Sequence, residues 1–129
     1  MRIMLLLALV AITGCSQVIA PGSTRITVGF TRDGCRPLSW RVPAGETITL
    51  EMNNQADQDY TWTLMSRPVT LPLDANDAAN IYFATQVSPG KSATGQLTAP
   101  NAPGDYDVVC SPLAHTEDDQ VGKVTVVKQ

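Results

Sequence analysis

The sequence is poor in several things that functional sites need. It has one histidine in 129 residues, so every centre built on two imidazoles from this chain is excluded. Charged residues make up 16% of the chain, and the nine basic residues are outnumbered by twelve acidic ones. Without a basic patch, nucleic acid and anionic lipid headgroups are excluded as electrostatic partners. The longest apolar run is Ile3–Ile12, half of the roughly 20 residues a membrane-spanning helix requires. There is no C-x-x-C element to lower a thiol pKa. There is also no glycine-rich phosphate loop, no dinucleotide fingerprint and no nucleophile elbow. The lone His115 lies in an acidic stretch, a poor setting for a catalytic triad, and no enzymatic activity is expected. No helical periodicity extends beyond two turns, and no internal repeat or second domain is visible.

What the chain does have is 43% hydrophobic residues with nine prolines and nine glycines. That composition suits a folded core interrupted by many turns, hence short strands. The N-terminus has the layout of a secretory signal: Met1-Arg2, the apolar run, then Thr13-Gly14-Cys15. A small residue directly before a cysteine, where the apolar run stops, resembles the lipobox of bacterial lipoproteins. The expectation is cleavage after residue 14 and acylation of Cys15. Two or three acyl chains anchor firmly where a single chain binds marginally. Residues 15–23, with Pro21-Gly22, then read as a lipidated tether to a domain spanning 24–129. This puts the protein in the cell envelope, on the extracytoplasmic face, in a periplasm or at a cell surface, with the membrane as its first partner.

Period-two alternation marks the strands. Ile26, Val28 and Phe30 share one face, as do Ile48, Leu50 and Met52, then Tyr60, Trp62 and Leu64, then Tyr106, Val108 and Cys110, and finally Val124 and Val126. Ser39–Val42, Ile81–Val87 and Ser92–Thr98 complete the set, the last with the low hydrophobicity of an edge. Turns are expected at residues 31–34, Pro43-Ala44-Gly45-Glu46, Ser88-Pro89-Gly90-Lys91 and 99–104. One or two helical turns are expected within Asp74–Asn80. Seven or eight short strands at intervals of about ten residues argue an all-β, Greek-key β-sandwich. Phe30, Trp62 and Tyr106 are read as core residues.

Pro103-Gly104-Asp105-Tyr106, leading to Cys110, then Leu113-Ala114-His115 and Gly122-Lys123-Val124-Thr125-Val126, resembles a cupredoxin. In that family the penultimate strand reads P-G-x-Y-x-x-x-C and a final G-x-V-x-V strand follows. Val42-Pro43-Ala44-Gly45-Glu46 and Leu50-Glu51-Met52-Asn53-Asn54 agree with the family's earlier turn and strand. The variant it resembles most is the cupredoxin-like domain of periplasmic iron-uptake lipoproteins of the EfeO type, through Cys35, Trp62, Asn80-Ile81 and Pro89-Gly90. The long helical domain that often follows in those proteins has no counterpart in this sequence. Their acidic residue beside the tryptophan is replaced by Thr61 and Thr63.

The resemblance implies a copper site, which needs two imidazoles, one thiolate and a weak axial ligand. Cys110 and His115 stand in the C-x4-H arrangement of such loops. Tyr60 or Thr61 occupies the region of the other imidazole, and Asp119 and Gln120 stand near the place of the axial methionine. A softer set of Cys35, Cys110, His115 and Met65 would suit Cu(I) or a similar ion. Glu117, Asp118 and Asp119 either add oxygen ligands or form a solvated loop face. The alternative for Cys35 and Cys110 is a disulfide, favoured in an oxidising compartment once Cys15 is acylated. A redox-active pair is the third use. Two functions therefore stand side by side. One is a membrane-anchored module binding copper, or less readily iron, with a protein partner in metal or electron transfer. The other is a metal-free, disulfide-stapled sandwich acting as a binding or accessory module.

Overall fold

The computed structural model describes Gly14 and residues 21–113 and 119–129. Among the described residues, nine strands form two sheets that face each other. They are β1 (Arg25–Thr31), β2 (Gly34–Arg36), β3 (Ser39–Pro43), β4 (Thr47–Asn54), β5 (Tyr60–Met65), β6 (Ile81–Val87), β7 (Ser92–Thr98), β8 (Gly104–Pro112) and β9 (Gln120–Val127). The first sheet runs β2-β1-β4-β7 and the second β3-β9-β8-β5-β6. Parallel pairing joins β1 to β4 and β3 to β9, and the other neighbours are antiparallel.

The alternating apolar positions are the ones that fill the space between the sheets. Ile26, Val28 and Phe30 of β1 and Ile48, Leu50 and Met52 of β4 line the first sheet. Tyr60, Trp62 and Leu64 of β5, Val108 and Cys110 of β8, and Val124 and Val126 of β9 line the second. Each side chain turned inward alternates with one turned out because successive Cβ atoms point to opposite faces of a sheet. Trp62 sits at the centre, edge-on to Trp40 at 5.8 Å and to Phe83 at 6.4 Å between ring centroids.

The described strands number nine, one more than the upper expected count of eight. The addition is β2, which starts at the end of the expected 31–34 turn. Three residues with one apolar side chain are too few to show a period. β7 lies at a sheet edge, as its composition indicated. The expected helical turns reduce to one turn of 3-10 helix, Asp77–Asn80.

Met65 and Val109 are fully buried but stand outside the inter-sheet core, on the other face of the second sheet. The connection from Ser66 to Asn80 accounts for this. It crosses that face, where the Val69 amide donates to the Asp107 carboxylate at 3.0 Å, so a short irregular segment covers what would be exposed apolar surface.

Candidate functional site

Chain direction brings Cys35 and Cys110 to the same end of the sandwich from different sheets. Cys35 is the middle residue of β2 and pairs with Phe30 of β1. Cys110 lies on β8, directly across from Trp62 on one side and Gln120 on the other. The two cysteines form a disulfide with a Cα separation of 6.3 Å, within the 4.4–6.8 Å such bonds span. Both are buried, at 1% and 0% exposure. The bond therefore ties the first sheet to the second through the core.

Gln120 organises the turn that carries Cys35. Its Oε1 accepts the Cys35 backbone N–H at 2.9 Å, and its Nε2 donates to the Asp33 carbonyl at 3.4 Å. Gly34 makes this possible. Its φ is +117°, and a Cβ there would fall 2.2 Å from the Gln120 Oε1, so any larger residue is both strained and in collision. A surface cavity of about 480 Å³ opens beside this turn, lined by Cys35, Arg36, Pro37, Leu38 and Gln120.

The neighbouring loop after β4 is held by Asn54, which is fully buried. Its Nδ2 donates to the Gln58 carbonyl at 2.8 Å and to the Val87 carbonyl at 3.0 Å, and its Oδ1 accepts from the Ala56 amide at 2.9 Å. The loop delivers Tyr60, whose ring stacks on Phe30.

Of the four residues read as soft ligands, the fold joins Cys35 and Cys110. Met65 lies three positions along β5 from Trp62, the partner of Cys110, a distance of about 10 Å along a strand. It faces the covering segment rather than the sulfurs. His115, Glu117 and Asp118 lie outside the described residues, as do the acylation position Cys15 and its tether residues up to Ala20. Among the described residues, no three His, Cys, Asp or Glu side chains come together to hold a metal ion. Among them, too, no helix is long and apolar enough to cross a membrane.

The donor set does not fit a blue-copper centre. That centre takes two imidazoles and a free thiolate. The chain has one histidine, Tyr60 and Thr61 stand after Asn54 where another would be placed, and the Cys110 sulfur is bonded to Cys35. A sulfur in a disulfide is not a thiolate and cannot serve as that ligand. What the arrangement can do in this form is hold the two sheets rigidly together around a closed, sulfur-containing end.

Asn54 and the Phe30–Tyr60 stack were not singled out by the sequence reading. The Asn after an apolar strand was visible within the Leu50–Asn54 motif. The span of its hydrogen bonds to Val87 was not, because that contact joins residues 33 apart.

Comparison with known proteins places these observations. The sequence profile of the cupredoxin-like domain family matches residues 2–126. Dithionite-reduced auracyanin from the photosynthetic bacterium Roseiflexus castenholzii is 29% identical, with 82% of this chain and 98% of that one covered, at a TM-score of 0.65. Auracyanin A of Chloroflexus aurantiacus, described as a blue copper protein, is 23% identical over 80% of this chain and 98% of its own, at 0.63. Auracyanin B is 19% identical over 85% and 93%, at 0.64. Among curated proteins, no sequence matches. Profile, sheet order and sandwich agree: this chain belongs to the cupredoxin-like domain family, with a Cys35–Cys110 disulfide joining its two sheets.

Proposed function

We propose that this is a lipid-anchored, extracytoplasmic cupredoxin-like domain that works, in its disulfide-bonded form, as a metal-free binding or accessory module at a membrane surface. The observation that carries the reading is the Cys35–Cys110 bond, which takes up the thiolate that a copper electron carrier of this family would need. An oxidising compartment is where such a bond persists. The N-terminal run ending at Cys15 supplies the route to that compartment and the anchor that keeps the domain there. The module's partner is an envelope protein, met while the domain is tethered by its acyl chains. The EfeO-type relationship would make iron transport the setting, through that partner.

The test has two arms. Expressed with its signal in a bacterial host, the chain is expected in the membrane fraction, with a mass increased by acyl groups, and Cys15→Ser should release it. Thiol counting in denaturant, before reduction, should then find none, and addition of Cu(II) to the native protein should produce no intense visible absorption. A cytoplasmic location, or two free thiols in the protein as isolated, would contradict the reading. A blue colour with Cu(II) would return the domain to the electron carriers.

A further inference from the structure

We propose that two copies of this chain pair through the free edge of β7, each lending its Ser92–Thr98 strand to extend the other's first sheet. β7 is hydrogen-bonded to β4 on one side and to no described strand on the other. The contact is separate from the lipid anchor and from the disulfide, so its failure would leave the proposed function standing.

The backbone of β7 shows which groups are free. The Lys91 carbonyl accepts from the Asn54 amide at 2.9 Å, and the Ala99 amide donates to the Glu46 carbonyl at 2.8 Å. Odd-numbered residues therefore turn their backbone groups toward β4, and even-numbered ones turn theirs away. The outward carbonyl of Thr98 accepts the Tyr82 hydroxyl at 2.7 Å. Ser92, Thr94 and Gln96 are left with N–H and C=O groups pointing along the sheet into open space. All three are exposed, and a Cβ built at Gly95 between them meets nothing within 4 Å.

Sheet edges are normally blunted by shortness, charge, proline or a bulge. The other three edge strands each carry such a device. β2 has three residues, ends at Arg36 and runs into Pro37. β3 contains Arg41 and Pro43. β6 pairs with β5 through a register shift between Leu64 and Met65. β7 has seven residues with no charge and no proline, and its register with β4 is unbroken from Ser92 to Thr98. It is left open as a template for another strand.

The strand is complementary to itself, which selects a second copy as the occupant. A two-fold axis through Thr94 sets two β7 strands antiparallel, with Thr94 across from Thr94 of the second copy and Ser92 across from its Gln96. Residues paired this way exchange both backbone hydrogen bonds, so every free N–H and C=O of the three is satisfied. Ala93 then meets Gly95 of the second copy, and both are small enough for close approach. A two-fold contact sets a residue on the axis against its own copy, where a charge would repel itself. Thr94 is neutral. Glu51, the β4 neighbour of Thr94, is neutralised in an ion pair with Arg25. Lys91 falls across from Leu97 of the second copy and does not face itself. Pairing doubles the four-stranded first sheet, and a contact confined to one strand edge makes a weak, reversible dimer.

Sedimentation equilibrium of the full chain, in a mild detergent that covers the apolar N-terminus, tests this over a range of protein concentrations. A reversible monomer–dimer equilibrium is expected. Thr94→Pro removes an outward N–H without touching the β4 ladder and should weaken pairing by at least about tenfold. Thr94→Lys and Thr94→Glu should each weaken it by about fivefold, with circular dichroism showing the sheet retained. An equimolar mixture of the Lys and Glu variants should restore pairing to at least the parent level, because residue 94 faces its own counterpart. A chain that stays monomeric at every concentration would overturn the proposal. So would a dimer indifferent to all three substitutions, or a Lys and Glu mixture no stronger than either variant alone. If Thr94→Pro lowers the sheet signal, the two charge variants and their mixture decide.

Discussion

Phe30 and Tyr60 stack across the two sheets, with ring centroids 5.0 Å apart and planes inclined by 21°. Phe30 is the strand neighbour of Cys35, and Tyr60 lies two positions from the strand neighbour of Cys110. The aromatic pair and the disulfide therefore close the same end of the sandwich, one by packing and one by covalent bonding. Tyr60→Ala should destabilise the domain by about 3 kcal/mol or more, the usual cost of removing a buried aromatic ring. A double-mutant cycle of Phe30→Leu with Tyr60→Leu should return a coupling of about 1 kcal/mol. Additive losses in urea denaturation would show that the stack contributes only through burial.

The disulfide joins residues 75 positions apart. Closing a loop of that length in the unfolded chain corresponds to about 4 kcal/mol in the chain-entropy treatment. Cys35→Ala with Cys110→Ala should lower unfolding stability by an amount of that order, measured by urea denaturation against the oxidised parent. A loss below about 1 kcal/mol would show that the unfolded chain is already compact around these residues.

Asn54 supplies two donors and one acceptor to three backbone groups. Asn54→Ala leaves those groups without their partner, and a loss of about 2–4 kcal/mol is expected. Asn54→Asp should be worse at neutral pH, because an ionised carboxylate cannot donate to the Gln58 and Val87 carbonyls and is itself buried. Equal midpoints for the two variants in urea would contradict this account of the loop.

Gly34 and Gln120 are coupled by space. Gly34→Ala should cost at least about 1–3 kcal/mol from backbone strain alone, with a further loss from collision with the Gln120 side chain. In a Gln120→Ala background the collision disappears and the strain remains. The cost of Gly34→Ala should therefore be smaller there, but not zero. Identical costs in both backgrounds, measured by thermal unfolding, would remove the contact from the explanation.

Much of the fold was legible because alternation is a local signal. Ile81–Val87 and Ser92–Thr98 begin and end as the pattern indicated, since turn residues bound each of them. β2 was not legible: its one apolar side chain, Cys35, carries no period. The burial of Met65 was not legible either. It depends on the 66–80 connection lying across the second sheet, and no local pattern encodes where such a segment lands.

The sequence by itself determined the inventory: one imidazole, two cysteines beyond Cys15, and alternating strands sufficient for a two-sheet sandwich. That inventory rules out a two-histidine copper centre whatever the fold. That the two remaining cysteines meet was decided by tertiary structure alone. Their pairing depends on β2 and β8 ending up in opposite sheets at one end of the core, within reach of a disulfide. The same topology sets Met65 about 10 Å along its strand from that end. Distances between residues far apart in the chain are fixed by how strands pack, and a single sequence carries no direct record of them.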